Sequence, residues 1–337
     1  MTYLSGGSDR PLVERHDAIL FDLDGVLYVG PDPVPGAAEA VAAVRARGVA
    51  VAFVTNNAWR PPGTVAAHLS ELGIPAQAAD VVTSAQAVAT LVQAAVPAGS
   101  AVLVVGGEGL REALVERELR PVDSNDARPR AVVQGFAPDV DWSALAEATY
   151  AVRAGVPWYA SNLDATVPTP RGLAPGNGAL VEVVAHATGS RPIVAGKPET
   201  PLHTEAVRRT GADRPLVVGD RLDTDIEGAN RAGAPSLLVL TGVTSPRDLV
   251  LAPEHVRPTY VSADLLAGLL AGHPAVDMTE GEGRSCGGWI AVAAKGAVSL
   301  HGNGDRVDAL RALCVAVWQV PAVSPDAVDR ALSLAGW

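Results

Sequence analysis

The chain has 337 residues, too many for one ordinary core, so two or three domains are expected. Hydrophobic residues make up 48%, which excludes a disordered chain, and 37 acidic against 26 basic side chains give a net charge of −11. That charge argues against a nucleic-acid or anionic-membrane surface. No apolar run is long enough to span a bilayer, and the start, MTYLSGGSDRPLVERHD, lacks a signal-peptide stretch, so the expected location is the cytoplasm. Cys286 and Cys314 are the only cysteines and form no CxxC pair, so two reduced thiols are expected rather than a zinc site or disulfide.

In chain order, AILFDLDGVLY is followed by the helical GAAEAVAAVRARG, and VAVAFVTNNA by TVAAHLSELG. Apolar runs without alternation, each followed by an Ala-rich helix, predict a parallel α/β sheet buried on both faces. Gly48 and Gly73 fit the position just past a helix end. From about 84 to 190 lies a stretch with its own strands, AVLVVGG, AVVQGF and PWYASN, read as an inserted domain. The core pattern returns at RPLVVGDRLDTDIEGANRAG and APSLLVLTGV and is complete by about residue 271. HPAVDMTEGEGRSCGG then reads as a polar, Gly-rich linker. WIAVAAKGAVSLHG reads as a strand pair turning at Lys295-Gly296, and DALRALCVAVWQV as a helix.

Chemistry-bearing residues fall where those strands end. FDLDGV delivers Asp22 and Asp24 at the C-terminal end of a buried strand, where open α/β sheets place their ligand crevice, and Gly25 permits a tight turn. Thr55 ends the next strand and is followed by Asn56-Asn57; Lys197 lies in AGKPET; Asp220 ends PLVV, with Asp223 and Asp225 close behind. Four stations in this order, each at a strand end, are hard to obtain by chance.

These motifs, FDLDGV, VTNNA, GKP and GDRLDTD, resemble the haloacid dehalogenase superfamily. TNNA together with SNLDATVPTPRGLAPGNGAL at 161–180 resembles the branch with a large α/β cap of type C2 between the second and third motifs. That branch includes NagD-type nucleotidases and the 4-nitrophenyl phosphate, phosphoglycolate and glycerol 3-phosphate phosphatases. The resemblance covers about residues 15–270. It implies a Rossmann-like core at 1–83 and 191–271, a cap at 84–190, and leaves a small α+β extension at 274–337 outside it. No coenzyme-binding signature supports a likeness of that extension to part of an acyltransferase fold.

The resemblance implies a phosphatase with Asp22 as nucleophile and Asp24 as general acid/base. Mg²⁺ would be held by Asp22, the Asp24 carbonyl and Asp220, with Asp225 or Asp223 holding its waters. Thr55, the backbone of Asn56 and Asn57, and Lys197 would bind the phosphoryl group. Asn162 and Asp164 of the cap loop would read the rest of the substrate. That loop carries no aromatic residue, which favours a small aliphatic ester: glycerol 3-phosphate first, 2-phosphoglycolate or a nucleotide next. A phosphotransferase sharing the intermediate and a non-catalytic regulatory protein are the alternatives from other classes. Beyond the substrate, the expected partner is a second copy of the chain, through the cap or the extension.

Overall fold

The run Ala18–Phe21 forms strand β1, buried at all four positions, as expected of a strand covered on both faces. Helix α1 (Ala37–Ala46) stops where Gly48 takes φ +72°, its amide bonded back to the Arg45 carbonyl at 2.9 Å. Strand β2 (Ala50–Thr55) follows. The computed structural model describes residues 3–169 and 171–337. It divides into two compact units, Met1–Ala52 with Thr210–Trp337, and Phe53–Arg209.

In the second unit, helix α2 (Pro62–Glu71) leads to β3 (Val81–Thr83), which pairs in parallel with the end of β2 and sets Thr55 opposite Thr83. Thr83 caps helix α3 (Ser84–Ala95), accepting from the Gln86 amide in a capping box. A five-stranded parallel sheet comes next. Its strands are β4 (Ala101–Val105), β5 (Arg120–Val122), β6 (Ala131–Gln134), β7 (Trp158–Ala160) and, after the hairpin β8 (Thr166–Thr169) and β9 (Gly172–Pro175), β10 (Ile193–Val194). The order is β10-β7-β6-β4-β5. Helices α4 (Glu108–Glu116), α5 (Trp142–Arg153) and α6 (Asn177–Thr188) connect them, and α7 (Thr200–Thr210) returns the chain. Strand β5 is not visible in the sequence pattern because it is three residues long with Pro121 at its centre. Proline is tolerated there because the strand is an edge.

The first unit resumes with β11 (Pro215–Gly219), a π-helical turn Leu222–Ile226, α8 (Glu227–Ala232), β12 (Ser236–Val239), α9 (Pro246–Val250), β13 (Tyr260–Ser262) and α10 (Leu265–Leu270). Pairing is parallel throughout, in the order β13-β12-β11-β1.

Beyond α10 the chain forms an antiparallel sheet of β14 (Asp277–Met278), β15 (Arg284–Cys286), β16 (Trp289–Ala294) and β17 (Ala297–Gly302). Helices α11 (Arg306–Val317) and α12 (Pro325–Leu334) complete the segment. The expected linker is therefore partly strand. Two- and three-residue strands among glycines are too short to show a period of two, so β14 and β15 were hidden. The strand pair around Lys295-Gly296 and the helix after it stand where the sequence places them.

Helix α11 is buried nearly all round, the mark of a core helix. Its Leu310, Leu313 and Val317 share one apolar cluster with Leu238, Leu249, Val250 and Val261 of the parallel-sheet layer, and with Trp289 and Leu300 of the antiparallel sheet. A charged group crosses this seam. Arg311 pairs with Asp308 at 2.5 Å, donates to the Val261 carbonyl at 2.8 Å, and meets Nδ1 of His273 at 3.2 Å. His273 reaches the Gly268 carbonyl through Nε2 at 2.8 Å. Cys286 and Cys314 are both buried free thiols, pushed up by burial, Cys286 to about 12. Among the described residues, no helix is long and apolar enough to cross a membrane.

Candidate active site

In the first unit, parallel pairing of β1 with β11 sets Phe21 opposite Val218, and the Asp22 amide donates to the Val218 carbonyl at 2.8 Å. Asp22 and Asp220 therefore leave the sheet side by side at its C-terminal edge. The π-helical turn Leu222–Ile226 that follows β11 brings back Asp225, whose carboxylate accepts from the Arg221 amide at 3.2 Å. Such turns are often found at functional sites. Asp22, Asp220 and Asp225 each place a carboxylate oxygen within 4.8 Å of the others, Asp22 half-buried and the other two fully buried.

Glycines make this convergence sterically feasible. A Cβ at Gly242 would stand 2.0 Å from Asp220 Oδ2, one at Gly25 2.4 Å from it, and one at Gly219 2.2 Å from the Asp225 Cβ. Gly25 also needs its φ of +83°, which closes the turn after Asp24. The Asp220 carboxylate accepts from the Val243 amide at 2.6 Å, and the Thr241 hydroxyl donates to the Gly25 carbonyl at 2.6 Å. The loop after β12, residues 241–243, is thus a fifth station, which the sequence reading did not single out. Its only signal is a glycine after the apolar run SLLVL.

Three carboxylates, two of them fully buried, meet at this distance, where their mutual repulsion favours a cation among them. Their oxygen-only donor set, with a solvent-facing side at Asp22, fits a hard divalent cation such as Mg²⁺. Asp24 is exposed just beyond Leu23. Asp223 is exposed and lies outside the cluster: Arg221 pairs with it at 2.8 and 3.0 Å and holds its carboxyl below the usual range. Of the two acids left open by the sequence, Asp225 is the one that joins Asp22 and Asp220.

In the second unit the groups gather around Asn56. Thr55 is buried at the end of β2, and its Oγ1 accepts from the Asn57 amide at 3.1 Å. The Asn57 side chain folds the next turn, accepting from the amides of Trp59 and Arg60 at 2.9 and 3.1 Å. Trp59-Arg60 therefore belongs to a rigid turn, and the Trp59 carbonyl accepts from the Gly109 amide in the first turn of α4 at 2.9 Å. The Asn56 carbonyl receives the Ser84 hydroxyl at 2.6 Å and the Asn162 amide group at 2.7 Å. Lys197 is buried, its Nζ donating to the Val54 carbonyl at 3.2 Å.

The structure thus brings Asn162 and Asp164 to the Asn56 loop of the same unit. Asn162 is buried, and its Oδ1 also fixes the Asp164 amide at 3.1 Å. Asp164 is half-buried and accepts from Asn56 Nδ2 at 3.1 and 3.3 Å. Asn177, at the start of α6, grips the Asn162 carbonyl at 2.7 Å and was not anticipated; glycines on both sides of it were its only mark. Arg171 lies exposed in the β8–β9 hairpin.

A haloacid dehalogenase-like hydrolase model matches residues 19–120, a HAD-hydrolase-like model 194–268, and a GCN5-related N-acetyltransferase-like domain 286–337. The D-glycerol 3-phosphate phosphatase of Mycobacterium tuberculosis is 47% identical over 319 residues, 93% of this chain and 89% of that protein. An acid sugar phosphatase of Staphylococcus aureus is 38% identical over 255 residues, 75% of this chain and 96% of its own. The crystal structure of the M. tuberculosis glycerol phosphate phosphatase in complex with magnesium superposes with a TM-score of 0.87 at 44% identity, covering 96% of this chain and 98% of that one.

Proposed function

The chain belongs to the haloacid dehalogenase-like hydrolases, and from that premise we propose that it is a magnesium-dependent phosphomonoesterase whose substrate is glycerol 3-phosphate. The observation that carries the reading is the meeting of Asp22, Asp220 and Asp225 at the C-terminal edge of neighbouring parallel strands. The substrate rests on the high identity to the mycobacterial glycerol 3-phosphate phosphatase over nearly the whole chain. A cap loop without aromatic side chains agrees with it.

On this reading an Asp22 oxygen attacks phosphorus, forming an aspartyl phosphate and splitting one difficult displacement into two easier ones. Asp24, exposed beyond Leu23, gives its proton to the departing glycerol oxygen and later takes one from the attacking water. Asp22, Asp220 and the Asp24 carbonyl would hold Mg²⁺, with Asp225 orienting its waters; bound there, the ion neutralises the carboxylates and polarises the phosphoryl oxygens. Thr55, the main chain of Asn56 and Asn57, and Lys197 bind the phosphoryl oxygens, and preorganised donors of this kind supply most of the catalysis in phosphoryl transfer.

The domain reading belongs to the same proposal: core segments at 1–83 and 191–271, a cap at 84–190 whose Asn162-Asp164 loop selects the leaving group, and an extension at 274–337. The test is initial-rate phosphate release from glycerol 3-phosphate, 2-phosphoglycolate and sugar phosphates, with Mg²⁺ and with excess chelator. Highest kcat/KM for glycerol 3-phosphate with water as sole acceptor, abolished by chelator, supports the reading. Preference for another ester overturns the substrate, and full activity in chelator overturns the mechanism.

A further inference from the structure

The Asn56 carboxamide makes more contacts than a loop side chain needs. Its Oδ1 accepts from the Lys197 amide at 2.8 Å, and its Nδ2 donates to the Lys197 carbonyl at 3.1 Å. The side chain thus pairs with both main-chain polar groups of one residue, as a neighbouring strand would. The same Nδ2 supplies its second hydrogen to the Asp164 carboxylate. Only one orientation of the amide satisfies all three partners, because an N–H requires the oxygen while a carbonyl and a carboxylate require the NH₂. Gly196 leaves the space: a Cβ there would stand 2.6 Å from Asn56 Oδ1 and 2.4 Å from the Ser161 carbonyl. The loop that carries Asn56 is itself held by Ser84 and Asn162 through its carbonyl.

We propose that Asn56 is a positioning residue: its carboxamide sets the main chain of Lys197 and couples it to Asp164, so that the phosphate-anchoring lysine and the cap loop share one support. The inference rests on the phosphatase reading given above and deepens it, since Lys197 contacts the phosphoryl group only if that reading holds. A lysine side chain is long and rotatable, and its ammonium is accurate only if its backbone is fixed. The Nζ–Val54 carbonyl contact anchors one end of that side chain, and the Asn56 pairing anchors the other.

The decisive experiment is a double-mutant cycle between Asn56 and Asp164, read as kcat/KM and as the competitive inhibition constant of inorganic phosphate. Asn56→Asp keeps the acceptor for the Lys197 amide but sets a carboxylate against Asp164. It should lower kcat/KM about 10²-fold, as misplacement of a catalytic group by about 1 Å does. In the Asp164→Asn background an amide again faces a carboxylate, and the same substitution should cost about ten-fold less. Asn56→Ala should weaken inhibition by inorganic phosphate, because Lys197 touches the phosphoryl group.

An Asn56→Asp effect of equal size in both backgrounds overturns the coupling. Unchanged inhibition by phosphate in Asn56→Ala overturns the positioning role. Wild-type protein that releases no phosphate from any ester overturns the phosphatase reading instead, so the two failures are distinguishable. Circular dichroism of each variant separates a folding defect from a local one, and the phosphate constant is taken on the folded fraction.

Discussion

Two charged clusters in the same unit differ in how their charges are arranged. Around Asp308 and Arg311 each charge faces its opposite, and Nη2 of the guanidinium finds the Val261 carbonyl and His273. Around Asp22, Asp220 and Asp225 three carboxylates converge, spaced by glycines, with Asp220 and Asp225 bonded to main-chain amides. A self-neutralised cluster is a piece of structure. A like-charged one of oxygen donors suits a cation, and such sites are where function is found. Changes in the first cluster should therefore alter stability with little effect on chemistry, and changes in the second the reverse.

The largest effect should come from Asp22→Asn, which removes the nucleophile. Turnover should fall by at least about 10⁴-fold with the melting temperature nearly unchanged, measured by phosphate release and by thermal denaturation. Wild-type-like turnover would end the proposed mechanism. Asp24→Asn should slow hydrolysis of an alkyl phosphate about 10²- to 10⁴-fold, the usual worth of a general acid/base, and an unchanged rate would remove Asp24 from that role. Gly242→Ala tests the cluster without touching a carboxylate. Its Cβ would displace Asp220, so Mg²⁺ affinity should fall about ten- to a hundred-fold, read from the Mg²⁺ dependence of the rate.

On the other side of the comparison, Arg311→Met leaves the half-buried Asp308 without its guanidinium partner. It should cost about 3 kcal/mol of stability in denaturant unfolding, while kcat in the folded fraction stays within two-fold or so. A large loss of kcat at full folding would mean the extension reaches the chemistry. The smallest effect is in pH. Burial holds the His273 imidazole down to about 4, whereas the unfolded chain takes up that proton near 6.5. Its contribution is therefore complete above pH 6.5 and is lost as pH falls toward 4, by at most about 3 kcal/mol. His273→Gln should flatten that limb of the stability profile relative to wild type.

Much of the charged site was legible because each acid ends an unbroken apolar run, and a parallel sheet gathers such ends on one edge. FDLDGV and GDRLDTD need no distant information to be recognised. The π-helical turn brings Asp225, whose spacing from Asp220 the GDRLDTD motif already carries, and not Asp223, to Asp22. Gly242 is legible only once Asp220 is placed, 22 residues before it. The Asn56 pairing and the Arg311 cluster were hidden for the same reason: their partners lie 141 and 50 residues away, and asparagine or arginine alone gives no sign of which carbonyl it will meet. In the inserted segment strands β4, β6 and β7 were legible and the edge strand β5 was not, since a proline at the centre of three residues reads as loop.

The two thiols have a practical consequence. Cys286 lies at the end of β15, Cys314 in the middle of α11, and both belong to the apolar seam between the C-terminal segment and the parallel-sheet layer. Thiolate is the reactive form, and burial with a raised pKa suppresses it while the seam is closed. A reagent that traps exposed thiols therefore acts as a clock on separation of the segment from the sheet. Its rate counts openings of that seam alone and is silent to events at the carboxylates. No label need be introduced, because the chain carries these two cysteines and no others.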